Sequence, residues 1–209
     1  IKRESPGAIC VRENGEVWIG TTGVGIFRYD PKTDSFTQYH TDKEGNTLMG
    51  EHIFAMCEYG DWIALAVHDG ELKKYNPATN VLQTVKAPGV HHTILRDVVC
   101  FDKKRLWVCS HAGLFIVDEE NKEVIHLKED LMHSYSLSDN IIFCIHKDRE
   151  GGIWLGTKFG GVNYLPNHKL LFEKYVPSSS EKSLNTRRIR EIAEAPDGNI
   201  WIGTEDNGI

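Results

Sequence analysis

A chain of 209 residues can bury the core of one ordinary domain, and 40% hydrophobic residues against 26% charged ones is a globular composition. The formal charge of −6 opposes binding to nucleic acid, whose phosphates require a concentrated positive surface, so no nucleic-acid partner is expected. The apolar runs fall well short of the roughly 18 to 20 residues that cross a bilayer, so no membrane segment is expected either, and the residues from Ile1 to Pro6 do not resemble a signal peptide.

From the N-terminus onward, apolar residues alternate with polar ones in short stretches bounded by turn residues, which is the pattern of strands. Ala8–Val11, Val17–Thr21, Gly25–Tyr29 and Ser35–Tyr39 form a first unit of four strands. Its last turn is Asp30-Pro31-Lys32-Thr33-Asp34, where Pro presets φ and Asp bonds the neighbouring backbone. A second unit carries Asp61-Trp62-Ile63-Ala64-Leu65 and Glu71–Tyr75, and repeats that turn as Asn76-Pro77-Ala78-Thr79-Asn80. The third contains Arg105–Ser110, Gly113–Val117 and Glu123–Leu127. In the fourth, Ile141–His146 leads through a turn to Ile153–Thr157, then Gly161–Leu165 and Leu171–Tyr175. A fifth begins with Asp197–Thr204 and stops at Ile209, where its third strand would start. No stretch of 12 residues sustains helical periodicity.

Every Trp lies in a copy of one motif, as in Gly151-Gly152-Ile153-Trp154-Leu155-Gly156-Thr157, and successive Trp are 44, 45, 47 and 47 residues apart. A period of this length marks a repeat architecture, and four-stranded units of this size with a buried Trp are propeller blades. The expected fold is all-β: β-propeller blades of four antiparallel strands at residues 8–40, 52–86, 93–128 and 140–176, with an incomplete one at 188–209. Gly20, Ala64, Gly156 and Gly203, after the Trp, are expected to admit the side chains of a neighbouring blade. Closure with six to eight blades needs on the order of 270 to 360 residues. The chain therefore reads as a slice, about four and a half blades, of a larger propeller of seven. The remaining blades would come from the same protein or another copy of the chain, and the terminal blades would expose apolar faces. Five cysteines show no zinc spacing. Cys10, Cys57, Cys100 and Cys144, at or near one place in successive units, read as small buried core residues.

The pattern Asp-x-x-Gly-x-Ile-Trp-Leu-Gly-Thr, followed by Phe159-Gly160-Gly161-Val162-Asn163-Tyr164, Phe172-x-x-Tyr175 and Ser183-Leu184-Asn185-Thr186, resembles the two-component regulator propeller repeats. Ser136-Leu137-Ser138-Asp139-Asn140 is the same linker one blade earlier, and Thr47-Leu48-Met49-Gly50 a looser copy. The second and third units depart, with Ala64-Leu65 and Cys109-Ser110 in place of Gly-Thr. The resemblance implies the extracytoplasmic, periplasmic sensor region of a bacterial hybrid two-component histidine kinase that detects glycan fragments. No kinase chemistry belongs to these residues.

In an antiparallel blade, the turns between strands one and two and between three and four lie at one end. The remaining loops lie at the other, and they vary in sequence, as binding loops on a rigid scaffold do. Residues just before each innermost strand, His52, His92, Asn140 and Arg188, are expected to ring the axis, with His111, Lys158 and Glu205 slightly outside. These candidate ligand-binding residues are mostly basic in an acidic chain, which fits an anionic or polar oligosaccharide; solvated loop residues are the alternative. Adjacent His91-His92 on an extended segment would point to opposite sides, and no metal or other cofactor is expected. The sialidase-type Asp box fails, because Arg149 and Pro196 stand where it needs Asp-box residues. Asp97, Glu51, Asp139 and Glu191 remain as carboxylates for a carbohydrate-active enzyme. A protein-interaction scaffold is the other alternative, although the chain lacks the dipeptide of WD repeats.

Overall fold

The alternation of apolar and polar residues does build strands. A computed structural model describes residues 5–133, 135–167, 177, 183–184, 186 and 188–205. Strands β1 (Pro6–Val11), β2 (Val17–Val24), β3 (Ile26–Asp30) and β4 (Ser35–Tyr39) pair antiparallel in chain order. The same order recurs in β5 (Met49–Tyr59), β6 (Trp62–Val67), β7 (Leu72–Asn76) and β8 (Val81–Thr84). It recurs again in β9 (Leu95–Cys100), β10 (Arg105–Ser110), β11 (Gly113–Asp118) and β12 (Glu123–Leu127). A fourth blade has β13 (Ile142–Lys147), β14 (Ile153–Thr157) and β15 (Val162–Leu165), its expected outer strand at Leu171–Tyr175 lying outside the described residues. These four blades belong to one compact unit, residues 1–129 with 136–167. A second unit, residues 130–135 with 168–209, contains the hairpin of β16 (Ile189–Glu194) and β17 (Ile200–Thr204).

A twisted sheet of four strands cannot bury both faces alone, so blades pack face to face. Three apolar cores in the first unit correspond to its three blade interfaces. Cys10, Trp18 and Ile26 meet Ile53, Met56 and Tyr75; Ala64, Ala66 and Leu72 meet Leu95, Val98 and Phe115; Cys109 and Leu114 meet Ile142, Ile145 and Leu155. Gly20 admits the close approach expected of it. A Cβ there would lie 2.7 Å from both Ile53 Cγ2 and Met56 Sδ of the next blade. The first two blades are also joined by a ladder between β2 and β5, pairing Thr22 with His52 and Val24 with Met49.

The Trp residues are less uniform than the motif implies. Trp18 is fully buried, its ring 5.2 Å from Tyr39 and 5.8 Å from Tyr75 of the next blade. Trp62 and Trp107 are half-buried, Trp154 is 43% exposed and Trp201 56%. No blade follows the fourth within the first unit, so Trp154 and Tyr164 on its outward face stay uncovered, as do Ile9 and Val11 on the outward face of the first.

Trp62 is not the equivalent of Trp18. Ile53 pairs with Val67 as Pro6 pairs with Thr21, which puts Ala64 in the Trp position and Ala66, rather than Ala64, in the Gly position. The physical cause is the first turn of the blade. Tyr59 pairs directly with Trp62 across Gly60-Asp61, whereas residues 12–16 separate Val11 from Val17 in the first blade. The shorter turn is offset by longer strands, so the Trp spacing survives while the register moves by two.

The cysteines also differ from expectation. Cys10 and Cys109 are buried, Cys57 and Cys100 intermediate, and Cys144, on the outward face of the fourth blade, is exposed. Burial, followed by the charge of Glu58, pushes the Cys10 thiol up to about 11.

One linker between blades is fixed by a carboxylate. Asp42 accepts hydrogen bonds from the Asn46 side chain, from the N–H groups of Glu44 and Asn46, and from Leu82 N in the outer strand of the next blade at 2.9 Å. The Asn46 side chain, with the N–H groups behind it, outweighs burial and holds the carboxyl at about 2, down from 3.8. A depressed folded-state pKa contributes stability that is complete above 3.8 and disappears as pH falls through about 2. Asp42→Ala is therefore less stable than wild type to urea at neutral pH, and the difference narrows as the titration is repeated between pH 3.8 and 2. A difference independent of pH would contradict this role.

Candidate ligand-binding site at the bulged ends of the inner strands

Each innermost strand pairs with its neighbour through a register shift near its start. The shifts fall between Pro6 and Ala8, Ile53 and Ala55, Leu95 and Asp97, Ile142 and Cys144, and Ile189 and Glu191. The extra residue at each bulge is Gly7, Phe54, Arg96, Phe143 or Arg190. A bulge re-aims a side chain out of the alternating pattern. A second repeated feature closes the same end of the blade. Thr22, His68, His111, Lys158 and Glu205 each donate a backbone N–H to Ser5, His52, Ile94, Ile141 and Arg188 respectively. Hydroxyls of Thr21, Ser110 and Thr157 bond the carbonyls of Gly25, Gly113 and Gly161, which fixes the loop after the second strand.

In the second, third and fourth blades these positions come together as one aromatic and cationic cluster. Arg96 Nε donates to His111 Nε2 at 2.9 Å, and its guanidinium carbon stands 5.4 Å from the Phe54 ring centre and 5.1 Å from that of Phe143. The Phe54 ring is 5.1 Å from His68, which is 6.1 Å from His52, and His111 is 6.3 Å from Phe143. Burial, then the charges of Arg96, Lys158 and His68, lowers the His111 pKa, so its ring is neutral and free to accept from Arg96. The exposed Lys158 lies over Phe159, its Nζ 4.9 Å from the ring centre.

The residues singled out from sequence are distributed unevenly over this arrangement. His52 lies within β5 rather than before it, and His111 and Lys158 occupy the loop position expected of them. His92 sits two residues before Ile94, exposed in a short 3₁₀ turn, Val90–His92, so the His91-His92 pair is not on an extended segment. Asn140 caps a linker, its side-chain oxygen accepting Glu129 N at 2.9 Å. Arg188 is exposed in the second unit, where its carbonyl accepts Glu205 N. Phe54, His68, Arg96 and Phe143 were not among the sequence candidates. The signal for them was available only by aligning units through strand pairing, because the bulge hides three of them and the register shift of the second blade hides His68.

Three of the four carboxylates considered for catalysis have structural partners, and the fourth, Glu191, is exposed on β16. Asp97 accepts Val98 N and, across the blade interface, Ile145 N at 3.0 Å, and its pKa is raised by burial. Glu51 is paired with Lys73 at 2.7 Å, and Asp139 accepts Ile141 N and Phe159 N. At the opposite end of the blades a cleft of about 460 Å³ lies among Arg12, Asn14, Glu58 and Lys103. Its cations are consumed internally, Arg12 by Glu58 and Lys103 by Glu13.

The linker of the fourth blade explains why its motif combines these residue types. Ser138 N donates to Asn163 Oδ1, Asn163 Nδ2 returns a bond to Ser138 Oγ, and Asp139 takes Phe159 N. A Cβ on Gly160 would lie 2.5 Å from the Ser138 carbonyl oxygen, so the Ser-Leu-Ser-Asp linker and the Phe-Gly-Gly-Val-Asn loop require each other. Asp148 likewise tethers the turn, accepting Gly152 N and the Trp154 indole N–H at 2.8 Å. The two-component regulator propeller family matches residues 136–159 and 183–206. Those two stretches are similar to the two-component regulator propeller repeat.

Known relatives of this propeller agree with its architecture. Histidine kinase P4 of Formosa agariphila is 23% identical over 160 residues, covering 74% of this chain and 12% of that protein. Two solved extracellular domains of hybrid two-component systems from B. thetaiotaomicron share the fold. One has TM-score 0.66 at 20% identity over 95% of this chain and 26% of its own, and the other has TM-score 0.62 at 23% identity over 98% and 26%. A β-propeller domain from Myceliophteria thermophila also matches, with TM-score 0.56 at 10% identity over 97% of this propeller. The repeat chain thus spans about a quarter of the length of the bacterial domains it resembles.

Proposed function

We propose that this chain is part of the extracytoplasmic, periplasmic ligand-input region of a two-component receptor, that it recognises a glycan-derived ligand, and that it passes the signal to a kinase in another part of the receptor. The observation that carries this reading is the cluster of Phe54, Arg96, Phe143, His68 and His111, brought from three blades to one end of a propeller scaffold whose residues 136–159 and 183–206 match the two-component regulator propeller family. Aromatic rings offer apolar faces to sugar C–H groups, and a partly exposed guanidinium offers donors to their oxygens. Asp97, Asp139 and Glu51 near this end are spent on backbone and lysine, and Asp69 on His68, which favours binding over hydrolysis. The uncovered faces carrying Ile9 and Val11, and Trp154 and Tyr164, are seats for further blades of the receptor or of another copy.

A thermal-shift screen of oligosaccharides on the complete extracytoplasmic region tests the reading. A ligand at a hundred times its Kd adds about 2.7 kcal/mol to the unit that binds it and raises the Tm of that unit. The rise is lost in Phe54→Ala with Phe143→Ala. A screen in which no oligosaccharide raises Tm would overturn the glycan reading, and a full-length gene with no membrane span would overturn the receptor reading.

A further inference from the structure

Arg96 and Arg190 hold the same bulged position in their respective blades, and their immediate partners differ. Arg190 Nη2 donates to Glu205 Oε1 at 2.7 Å, an ion pair that neutralises it. The third blade has His111 in place of Glu205, and its Nε2 accepts from Arg96 Nε. A ring nitrogen that accepts a hydrogen bond carries no proton, so His111 orients the guanidinium without cancelling its charge. Among the described residues Arg96 enters no ion pair and its two terminal nitrogens make no hydrogen bond. The rings of Phe54 and Phe143 limit where the planar group can swing. Lys158, exposed one blade further on, adds a second positive charge to this end of an acidic chain.

Resting on the glycan reading above, we infer that Arg96 is the anion-binding residue of the site and that the ligand is a saccharide bearing a carboxylate. The two terminal nitrogens of the guanidinium match the two carboxylate oxygens in a bidentate pair, and Phe54 and Phe143 border the sugar ring. The neutral His111 fixes the fork by its hold on Nε.

Calorimetric titration of the full chain with digalacturonate, with its dimethyl ester and with a sulfated disaccharide lacking carboxylate tests the assignment. Digalacturonate is expected to bind about tenfold or more tightly than the ester, and its affinity alone to fall with added salt. Arg96→Gln should lower digalacturonate affinity by about tenfold or more and leave the ester unchanged. Arg96→Lys retains the charge without the fork; it also weakens digalacturonate, and it serves if Arg96→Gln fails to fold. Lys103→Gln, an equal charge change at the opposite end of the blades, alters neither affinity. Equal binding of acid and ester, or indifference to Arg96→Gln, overturns the inference and leaves the glycan reading intact. Preference for the sulfated disaccharide overturns the carboxylate assignment. If digalacturonate fails while a neutral oligosaccharide raises Tm, only this inference falls; if no saccharide of any charge binds, both fall.

Discussion

Trp18→Ala lowers the free energy of unfolding by about 3 to 5 kcal/mol, the cost of emptying a fully buried aromatic site. The indole fills the interface between the first two blades, against Tyr39 on its own sheet and Tyr75 on the next, and its N–H donates to Glu16 Oε2 at 3.2 Å. Truncation removes contacts on both blades and leaves Tyr39 and Tyr75 facing a void that the two sheets, joined by the β2–β5 ladder, cannot close. Trp154→Ala, in the same motif, costs much less in this chain because nearly half of that indole is already in solvent. Urea unfolding of the two variants measures the contrast directly. Equal losses would mean that Trp154 is covered as Trp18 is.

Gly113→Ala costs roughly 3 kcal/mol or more, from two sources acting at one Cβ. Gly113 sits at φ +114°, a conformation that L side chains rarely adopt. The added methyl would also lie 2.2 Å from the carbonyl oxygen of Leu127, a backbone atom held in the outer strand. Neither source can relax without moving the loop that Ser110 Oγ closes by its bond to the Gly113 carbonyl. Beneath the loop, Phe115 is fully buried and stacked on His126 at 3.8 Å, so the shift reaches the interface of the second and third blades. Chemical denaturation with Gly50→Ala, another glycine of positive φ but with open space around its Cβ, separates the two sources. A loss at Gly113 no larger than that at Gly50 would show that the close approach is harmless.

The period and the four strands of each of the first three blades were legible in the sequence, because each depends on local alternation and turn chemistry. What was not legible depends on which residue faces which across a sheet. The two-residue turn at Gly60-Asp61 moved Trp62 out of the position of Trp18 while preserving the spacing, so counting from Trp gave the Gly position to Ala64 instead of Ala66 and passed over His68. The bulges had the same effect on Phe54, Arg96 and Phe143, since one extra residue turns an inward-reading position aside. Asn140 had the residue type and location of a binding group, but its use as a cap for Glu129 N rests on a contact across the linker. Asp42 went unnoticed for a related reason: one of its partners, Leu82 N, lies 40 residues away in the chain.

The repeated bond across the mouth of each blade, from the first loop residue after the second strand to the carbonyl preceding the inner strand, is made by backbone atoms alone. The bulge it encloses carries Phe, Arg, Phe and Arg in the last four blades, whereas the first is held to Gly7, where a Cβ would lie 2.2 Å from the Ile53 carbonyl oxygen. In those four blades the position behaves as a socket on a fixed frame. A bulge residue and its loop neighbour can there be exchanged one blade at a time, with no matching change in the cores between blades.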